Sequence, residues 1–434
     1  MTKKIIIAVF AASLSLGAGT AGAEGIRTKD LAWGKWKTSF GLEDRLRVEQ
    51  KHDFDLNDAA YDNGALIFQR LRINGRSTLQ DQYEIFAEGL DARVYSAHIR
   101  RTDQTNALDL HQAYIRANGI GGLPIDLKLG RQELKYGKGR LIWAANWANR
   151  INRFDAAVAH YKNGGFYADL IYGSRVRYFD HSFDEGNKHD ILTGTYMGWQ
   201  KERTSPMVET YFLTNMDLGK IRTNEGIVRK FVRHTTGFRA QATVPGEIVC
   251  EIEVPYQFGR DGGSDISAYA LHADAGRAFK TAAWKPEVNV AYNFASGDKT
   301  PGNRNHTFTP LYQSTHEPYG IMDFFRWQNM KETALEASLN PTGKLKLTTA
   351  TSFFWLDSYR DYWYDSSGQR LRFKSKGKAD NYVGQEASLV AKYDLSGAVK
   401  LDAGYAHFFS GDYVGDTGAR DDADWFYVQT TLKI

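Results

Sequence analysis

Hydrophobic and polar residues alternate along much of the chain with a period of two, the spacing of a strand with one apolar and one polar face. Between residues 67 and 78, one face carries Ile67, Leu71 and Ile73. The opposite face of the same run carries polar side chains: Arg70, Arg72, Asn74 and Arg76. This pattern predicts β-strands, although the strands of a soluble β-sandwich would alternate in the same way.

Eighteen strand-like runs recur along the chain, and most are about ten residues long, the length that a tilted strand needs to cross a bilayer. They lie near 36–48, 65–79, 83–93, 107–117, 124–134, 154–161, 165–177, 189–199, 207–215, 229–243, 247–258, 265–280, 287–296, 329–339, 344–356, 382–393, 398–409 and 424–434. No stretch after the N-terminus approaches the roughly 18 apolar residues of a membrane helix.

The connections between these runs alternate between long and short, which separates a membrane barrel from a sandwich. The long ones are 49–64, 94–106, 135–153, 178–188, 216–228, 297–328, 357–381 and 410–423. Short turns such as 80–82, 162–164 and 244–246 fall between them, and only 259–264 is shorter than its place in the series predicts. Long outer loops and short periplasmic turns are typical of outer-membrane proteins. We therefore predict an all-β fold, a transmembrane antiparallel β-barrel of 18 strands.

The N-terminus has the parts of a secretory signal peptide. Lys3 and Lys4 precede an uncharged run that ends at Ala21-Gly22-Ala23, an A-x-A cleavage site. We expect residues 1–23 to be removed and residues 24–434 to form a single barrel domain in the outer membrane of a Gram-negative bacterium.

Composition supports the barrel and excludes other classes. The chain has 55 basic and 51 acidic side chains, and loss of Lys3 and Lys4 leaves 53 basic ones, far from the basic excess of a nucleic-acid-binding protein. A single cysteine, Cys250, rules out an internal disulfide framework. Mean hydropathy is −0.49, as in a soluble protein, because a barrel distributes its membrane face by alternation.

The inward side chains of such a barrel face an aqueous lumen and determine its selectivity. On the first two strands these are arginines: Arg45, Arg47, Arg70, Arg72 and Arg76. Acidic residues accompany them, with Glu43 on the first strand and Glu84 and Glu88 on the third. Arginine rings favour anions. The alternative is a ladder of Arg–Glu pairs that only stiffens the wall, and the two can coexist.

The third outer loop, 135–153, is the loop that narrows the lumen in many porins. Trp143 and Trp147 could stack on sugar rings, and Arg140, Arg150 and Arg153 could bind acids. Alternatively, the tryptophans belong to the outer aromatic girdle.

Motifs for catalysis or metal binding are missing from the sequence. It contains no G-x-S-x-G, no P-loop, no H-E-x-x-H and no paired C-x-x-C. Residues 53–58 begin like a calcium loop, but Gly at the sixth position and Glu at the twelfth are missing. We therefore expect neither an enzyme nor a metal or other cofactor.

From about residue 125 to its end the chain resembles the alginate-export outer-membrane porin family. The strand into the third loop carries Leu129–Leu134, Tyr136-Gly137, Gly139–Ile142, Trp147, Asn149 and Arg153–Ala156. The seventh loop carries Thr307-Phe308, Leu311-Tyr312, His316, Tyr319-Gly320, Asp323, Trp327 and Asn329. Further matches are Phe354–Asp357, Arg360-Asp361, Tyr364, Val383–Glu386, Gly404–Phe409 and Gly411-Asp412.

This resemblance implies a monomeric barrel of eighteen strands whose arginine-lined conduit passes an anionic, alginate-like polysaccharide outward. It also implies that Arg131, Arg153 and Arg360 belong to the pore. Strict alternation disagrees about Arg131, which shares a face with Leu127 and Leu129 unless the strand bulges near Gly130.

Two further functions remain open. One is a substrate-specific uptake porin for small organic anions, and the other is a barrel enzyme, which would need a histidine with a serine or aspartate at the outer rim. The expected partners are an anionic polysaccharide or a small anionic solute and outer-membrane lipids, with periplasmic export-complex proteins as further candidates.

Overall fold

The computed structural model describes residues 31–58, 64–96, 104–179, 182–222, 228–299, 304–314, 316, 318–374 and 376–434. The expected signal peptide, residues 1–23, lies outside the described residues. No helix in the described part of the chain is long and apolar enough to cross a membrane.

A closed antiparallel barrel makes up the molecule, and each of the eighteen predicted runs is one of its strands. In the described ranges these are β1 (Trp36–His52), β2 (Gly64–Leu79), β3 (Tyr83–Ser96), β4 (Asn106–Ala117), β5 (Ile125–Gln132), β6 (Phe154–Asn163), β7 (Phe166–Arg177), β8 (Glu185–Trp199) and β9 (Met207–Arg222). The second half comprises β10 (Val228–Val244), β11 (Ile248–Asp261), β12 (Ser264–Ala278), β13 (Glu287–Ala295), β14 (Met330–Leu339), β15 (Leu345–Trp355), β16 (Tyr382–Asp394), β17 (Val399–Ser410) and β18 (Ala423–Lys433).

The last strand closes the barrel against the first. β18 pairs with β1 from Glu43 opposite Lys433 to His52 opposite Asp424. Beyond this register, the backbones of Leu42 and Ile434 exchange two hydrogen bonds of 2.9 and 3.0 Å. The barrel wall therefore has no free edge where the two ends of the chain meet.

Short and long connections lie at opposite ends of the barrel, as the sequence predicts. The tightest turns have two central residues with positive φ, Gln80 and Asp81 in one and Gly164 and Gly165 in another, as type I′ hairpins require. At the other end the strands extend further than the sequence predicts. β8 begins at Glu185 instead of 189, and β9 continues to Arg222 instead of 215.

The two faces of the wall differ in polarity in the sense expected for a membrane barrel. Large apolar side chains with at least half of their surface exposed cover the outer face, among them Ile73, Ile115, Leu170, Val290 and Leu335. The inner face carries buried charged side chains.

Two long loops fold into the lumen and form its core. Loop 3 (133–153) and loop 7 (296–329) run side by side, with the Trp143 amide donating to the Tyr312 carbonyl at 2.7 Å and the Tyr312 amide to the Leu141 carbonyl at 2.7 Å. Fully buried apolar side chains from these loops and the wall surround this contact: Ile142, Phe308, Trp327, Phe354 and Phe408. The loops thus narrow the lumen from the outer end.

Smaller elements complete the outer end. These are a two-residue strand Arg304–Asn305, the hairpin of Trp363–Tyr364 and Arg370–Arg372, and a helix at Asp412–Thr417. At the opposite end, a short strand at Leu31–Trp33 pairs with the start of β1, and a 3-10 turn at Ile120–Gly122 lies in the connection from β4 to β5.

Candidate functional site

Arg45 and Arg70 lie directly opposite each other on β1 and β2, and both side chains point into the lumen. Each donates to the carbonyl oxygen of Asn146 in loop 3 at 2.8 Å. Arg70 also donates to the Ala148 carbonyl at 3.0 Å, and Arg45 donates to the Asn149 side-chain oxygen at 2.9 Å. Two of the arginines predicted to line the pore, Arg45 and Arg70, therefore bind the loop that narrows it.

Arg47 binds the next carbonyl group of loop 3, that of Trp147. Its guanidinium donates to the Trp147 carbonyl at 2.9 Å and to Glu49 at 2.7 Å, and lies 3.8 Å from the centroid of the Trp147 ring. His316 of loop 7 stacks on Trp147 with a centroid separation of 3.9 Å and an interplanar angle of 10°. Two groups this close to one ring must lie on opposite faces, so neither face of Trp147 is open to a sugar in this state.

Arg72 and Glu88 belong to an ion-pair cluster at the start of loop 3. Arg72 contacts Glu88 at 2.7 Å and Glu133 at 3.1 Å, and His111 contacts Glu133 at 2.9 Å. Burial alone would raise the pKa of Glu133, but its hydrogen bond to His111 and the charges of His111, Arg72 and Lys135 hold that pKa well below its usual range. The cluster fixes the point where β5 passes into loop 3.

Arg140 connects loop 3 to the opposite part of the wall. Its guanidinium contacts Glu251 at 2.7 Å and Glu253 at 2.8 Å, both on β11. Arg239 of β10 extends this network, with contacts of 2.6 Å to Glu251 and to Glu209. Arg140 is therefore a buried member of a charge network rather than a free cation.

Arg153 ends loop 3 in a third buried network, with only 1% of its surface exposed. It donates to Asp109 at 3.2 Å and also to Asp184. Burial and a hydrogen bond with Asp109 raise the pKa of Asp184 to about 6. Three arginine networks thus hold loop 3 at its start, in its middle and at its end.

Two other predicted pore residues are more exposed. Arg76 lies 3.5 Å from Glu84, and half of its side-chain surface is exposed. Arg360 lies on loop 8 (356–381), where it is exposed and donates to the Lys299 carbonyl at 3.3 Å. Neither takes part in the contacts to loop 3.

Arg131 lies on the outer face of the barrel, outside the lumen in which the family resemblance places it. It forms an ion pair of 2.8 Å with Asp155, its register partner on β6, whose neighbours Phe154 and Ala156 point into the core. The register of β5 with both neighbouring strands is continuous at Gly130, so no β-bulge moves the Arg131 side chain to the lumen face. Strict alternation therefore assigns the correct face.

A cavity of about 530 Å³ lies between loop 3 and the outer loops. Its basic lining consists of Arg47, Lys51, Arg150 and Arg175, and its acidic lining of Glu49, Asp323 and Asp365. Arg175 was missed by the sequence analysis, although it follows the buried positions Ile171 and Gly173 at a spacing of two. Arg233 and Arg239 on β10 are two more buried arginines, and they also share one face of their strand, on which side chains recur at a spacing of two.

Acidic residues dominate another sector of the lumen. Glu386 of β16 accepts hydrogen bonds from the backbone amides of Ile321 and Met322 and so fixes loop 7. The charged lining of a cavity of about 220 Å³ next to it consists of four acidic residues, Asp274, Glu332, Glu336 and Glu386, and two basic ones, Lys138 and Arg140. The acidic side chains of this sector lie on β12, β14 and β16.

Two groups of described residues have the composition of a metal site. They are Glu88, His111 and Glu133, and Glu251, His272 and Asp274, with potential ligand atoms within 4.8 Å of one another. In each group arginines already contact carboxylates, Arg72 in the first and Arg140 and Arg239 in the second. A metal ion would have to compete with these ion pairs.

Comparisons with known proteins agree with this architecture. The model of a protein family described as alginate export matches residues 36–428. Similar solved structures include Pseudomonas aeruginosa OpdO, with a TM-score of 0.61, 13% identity and coverage of 92% of this chain and 97% of that chain. P. aeruginosa OccK5 (OpdH) has a TM-score of 0.59 at 14% identity, with coverage of 92% of this chain and 98% of that chain.

P. aeruginosa OpdK, solved with vanillate, gives a TM-score of 0.61 at 10% identity, with coverage of 92% of this chain and 98% of that chain. At these identities the structural likeness establishes the fold alone. No curated protein sequence matches the chain.

Proposed function

The chain belongs to the alginate-export family, and from this we propose that it passes an anionic, alginate-like polysaccharide outward across the outer membrane of a Gram-negative bacterium. It is an outer-membrane porin, and we propose that its arginines Arg45, Arg47, Arg70 and Arg72 line the path of the polymer. The family match and the barrel support a channel rather than an enzyme. Association with periplasmic export-complex proteins is part of the same proposal.

One observation carries the proposal of an anionic substrate. Arg45 is buried in the lumen, yet among the described residues no carboxylate lies within 4 Å of its guanidinium. Its donors bind a carbonyl and a side-chain amide oxygen instead. A guanidinium matches the planar geometry of a carboxylate, so a residue in this position suits an acidic sugar better than a stiffening ion pair.

A second candidate function is uptake of small organic anions. The 530 Å³ cavity favours it, because a space of this size between the outer loops and loop 3 would hold one small molecule, with Arg47 and Arg175 within its lining. The solved structure of OpdK with vanillate supplies a structural relative that binds a small molecule.

Ion selectivity and block by carbohydrates in planar bilayers test the proposal. The channel should prefer anions in a gradient of dilute KCl, and this preference should fade as salt rises above about 0.1 M, where the Debye length is about 10 Å. Oligouronates should block the current, whereas neutral oligosaccharides of equal length should not. Cation preference at low salt, or equal block by both sugars, would contradict an anionic substrate.

A further inference from the structure

We infer that the carbonyl groups of Asn146, Trp147 and Ala148 occupy the carboxylate-binding site of the pore, and that a polyuronate binds by replacing them. This inference rests on the proposed function. It assigns loop 3 the role of an internal ligand that the substrate displaces, rather than that of a fixed constriction.

The donors of this site are three guanidinium groups from one patch of wall. Arg45, Arg47 and Arg70 together bind three consecutive carbonyl oxygens of loop 3 at distances of 2.8 to 3.0 Å. Their carboxylate partners are fewer, with Glu49 on Arg47 and Glu43 on Arg70. The patch thus presents more buried positive groups than ion-paired acids.

Loop carbonyls are weaker acceptors for these donors than carboxylates. A hydrogen bond between two ionised groups is shorter and stronger than one to a neutral oxygen, and a carboxylate can bind a guanidinium through two oxygens. Like charges directly opposite on neighbouring strands repel, as Arg45 and Arg70 do. A neutral carbonyl shared by the two lowers that repulsion only in part, and an anion would remove more of it.

One carboxylate is not enough to release the loop. Displacement would break the contacts of three carbonyls and separate Trp147 from Arg47 and His316. A polymer presents several linked carboxylates, so binding of the first raises the effective concentration of the next. The site therefore selects a chain of acidic sugars over a single small acid.

Asn149 is the residue that holds the loop next to these arginines. It is fully buried, accepts from Arg45 and donates to the backbone carbonyls of Gln69 and Arg93 at 3.4 and 3.0 Å. Because these contacts join loop 3 to β1, β2 and β3, Asn149 is a positioning residue for the internal ligand.

Thiol labelling of the refolded mature barrel tests the inference directly. Ala145 precedes the three carbonyls and is 2% exposed, so Ala145→Cys in a Cys250→Ser background should react slowly with a maleimide. A hexauronate should raise the labelling rate roughly tenfold, the change given by about 1.4 kcal/mol in the loop equilibrium. A single uronate and a neutral hexasaccharide should leave it unchanged. Ala406→Cys, also buried but on β17, is the control whose rate should not respond.

The outcomes separate this inference from the proposed function. If hexauronate blocks ion current but leaves Cys labelling unchanged, the loop is not displaced and the inference is wrong, while the proposed function stands. If hexauronate neither blocks current nor changes labelling, both are wrong. Should Ala145→Cys fail to fold, Asn149→Ala provides the second test. Loop 3 loses its contacts with β1, β2 and β3 in this variant, so single channels should spend a larger fraction of time in a state of higher conductance. Asn118→Ala, which loses a bond to the Asp81 carbonyl in a turn at the opposite end, should not change that fraction.

Discussion

Arg45 and Arg70 donate to one and the same oxygen, the carbonyl of Asn146, each at 2.8 Å from directly opposite positions on β1 and β2. This shared acceptor connects the arginine-rich wall to loop 3, so the electrostatics of the lumen and the conformation of the loop depend on each other. Changes to the wall should therefore alter conductance as well as selectivity.

Arg72→Gln should shift ion selectivity away from anions, because it removes a positive charge from the lumen-facing side of β2. Arg131→Gln, the matched control, should leave selectivity unchanged, because the Arg131–Asp155 pair lies on the outer face. Reversal potentials in a dilute KCl gradient measure both variants. An equal shift in the two would mean that Arg131 lines the pore, as the family resemblance implies.

Trp147→Ala should increase mean single-channel conductance, because loop 3 loses its contacts with Arg47 and with His316 of loop 7. Aromatic and cation–π contacts of this kind each contribute about 0.5–2 kcal/mol, enough to change how often the loop opens. Trp143→Ala provides a control on the same loop, since the Trp143 ring packs near Gly139. Conductance that is unchanged in Trp147→Ala would show that the stack does not hold the loop.

Arg140→Met should destabilise the folded barrel, because it leaves Glu251 and Glu253 buried without one of their cationic partners. Breaking a buried ion pair by removing one partner costs about 3–5 kcal/mol. Arg116→Met removes the half-exposed pair with Asp126 and should cost at most about 1 kcal/mol. The temperature at which the folded band disappears on SDS gels compares them, and equal temperatures would argue against a structural role for the Arg140 network.

Alternation, together with the spacing of the connections, was sufficient to find all eighteen strands and the inward arginines of β1 and β2, although the outer ends of β8 and β9 were predicted too short. A strand turns one face toward lipid and the other toward the lumen, so the odd or even position of a residue along the strand tells which face its side chain occupies. Arg45 and Arg70 are examples of residues placed on the lumen side in this way. Alternation also assigned Arg131 correctly to the outer face, whereas the family resemblance placed it in the pore. The same alternation on β7 would have placed Arg175 in the lumen.

The contacts inside the lumen could not be predicted in this way. Arg140 and Glu251 are 111 residues apart, and Arg45 reaches Asn146 across 101 residues. Such pairs form only after two long loops have folded into a closed barrel, and no local spacing in the sequence encodes that placement. The stack of Trp147 on His316 depends on the same folding of loops 3 and 7, so the expectation that Trp147 faces a sugar had no local feature to correct it.

Release of carbohydrate from proteoliposomes measures transport itself. Vesicles carrying the barrel would be loaded with two labelled oligosaccharides of equal length, one an oligouronate and one neutral, and release of each would be followed over time. The proposed function predicts fast release of the oligouronate, retention of the neutral chain, and slower release of the oligouronate from vesicles with the Arg45→Gln, Arg70→Gln variant. Equal release of both sugars, or release of small organic acids with the oligouronate retained, would contradict it.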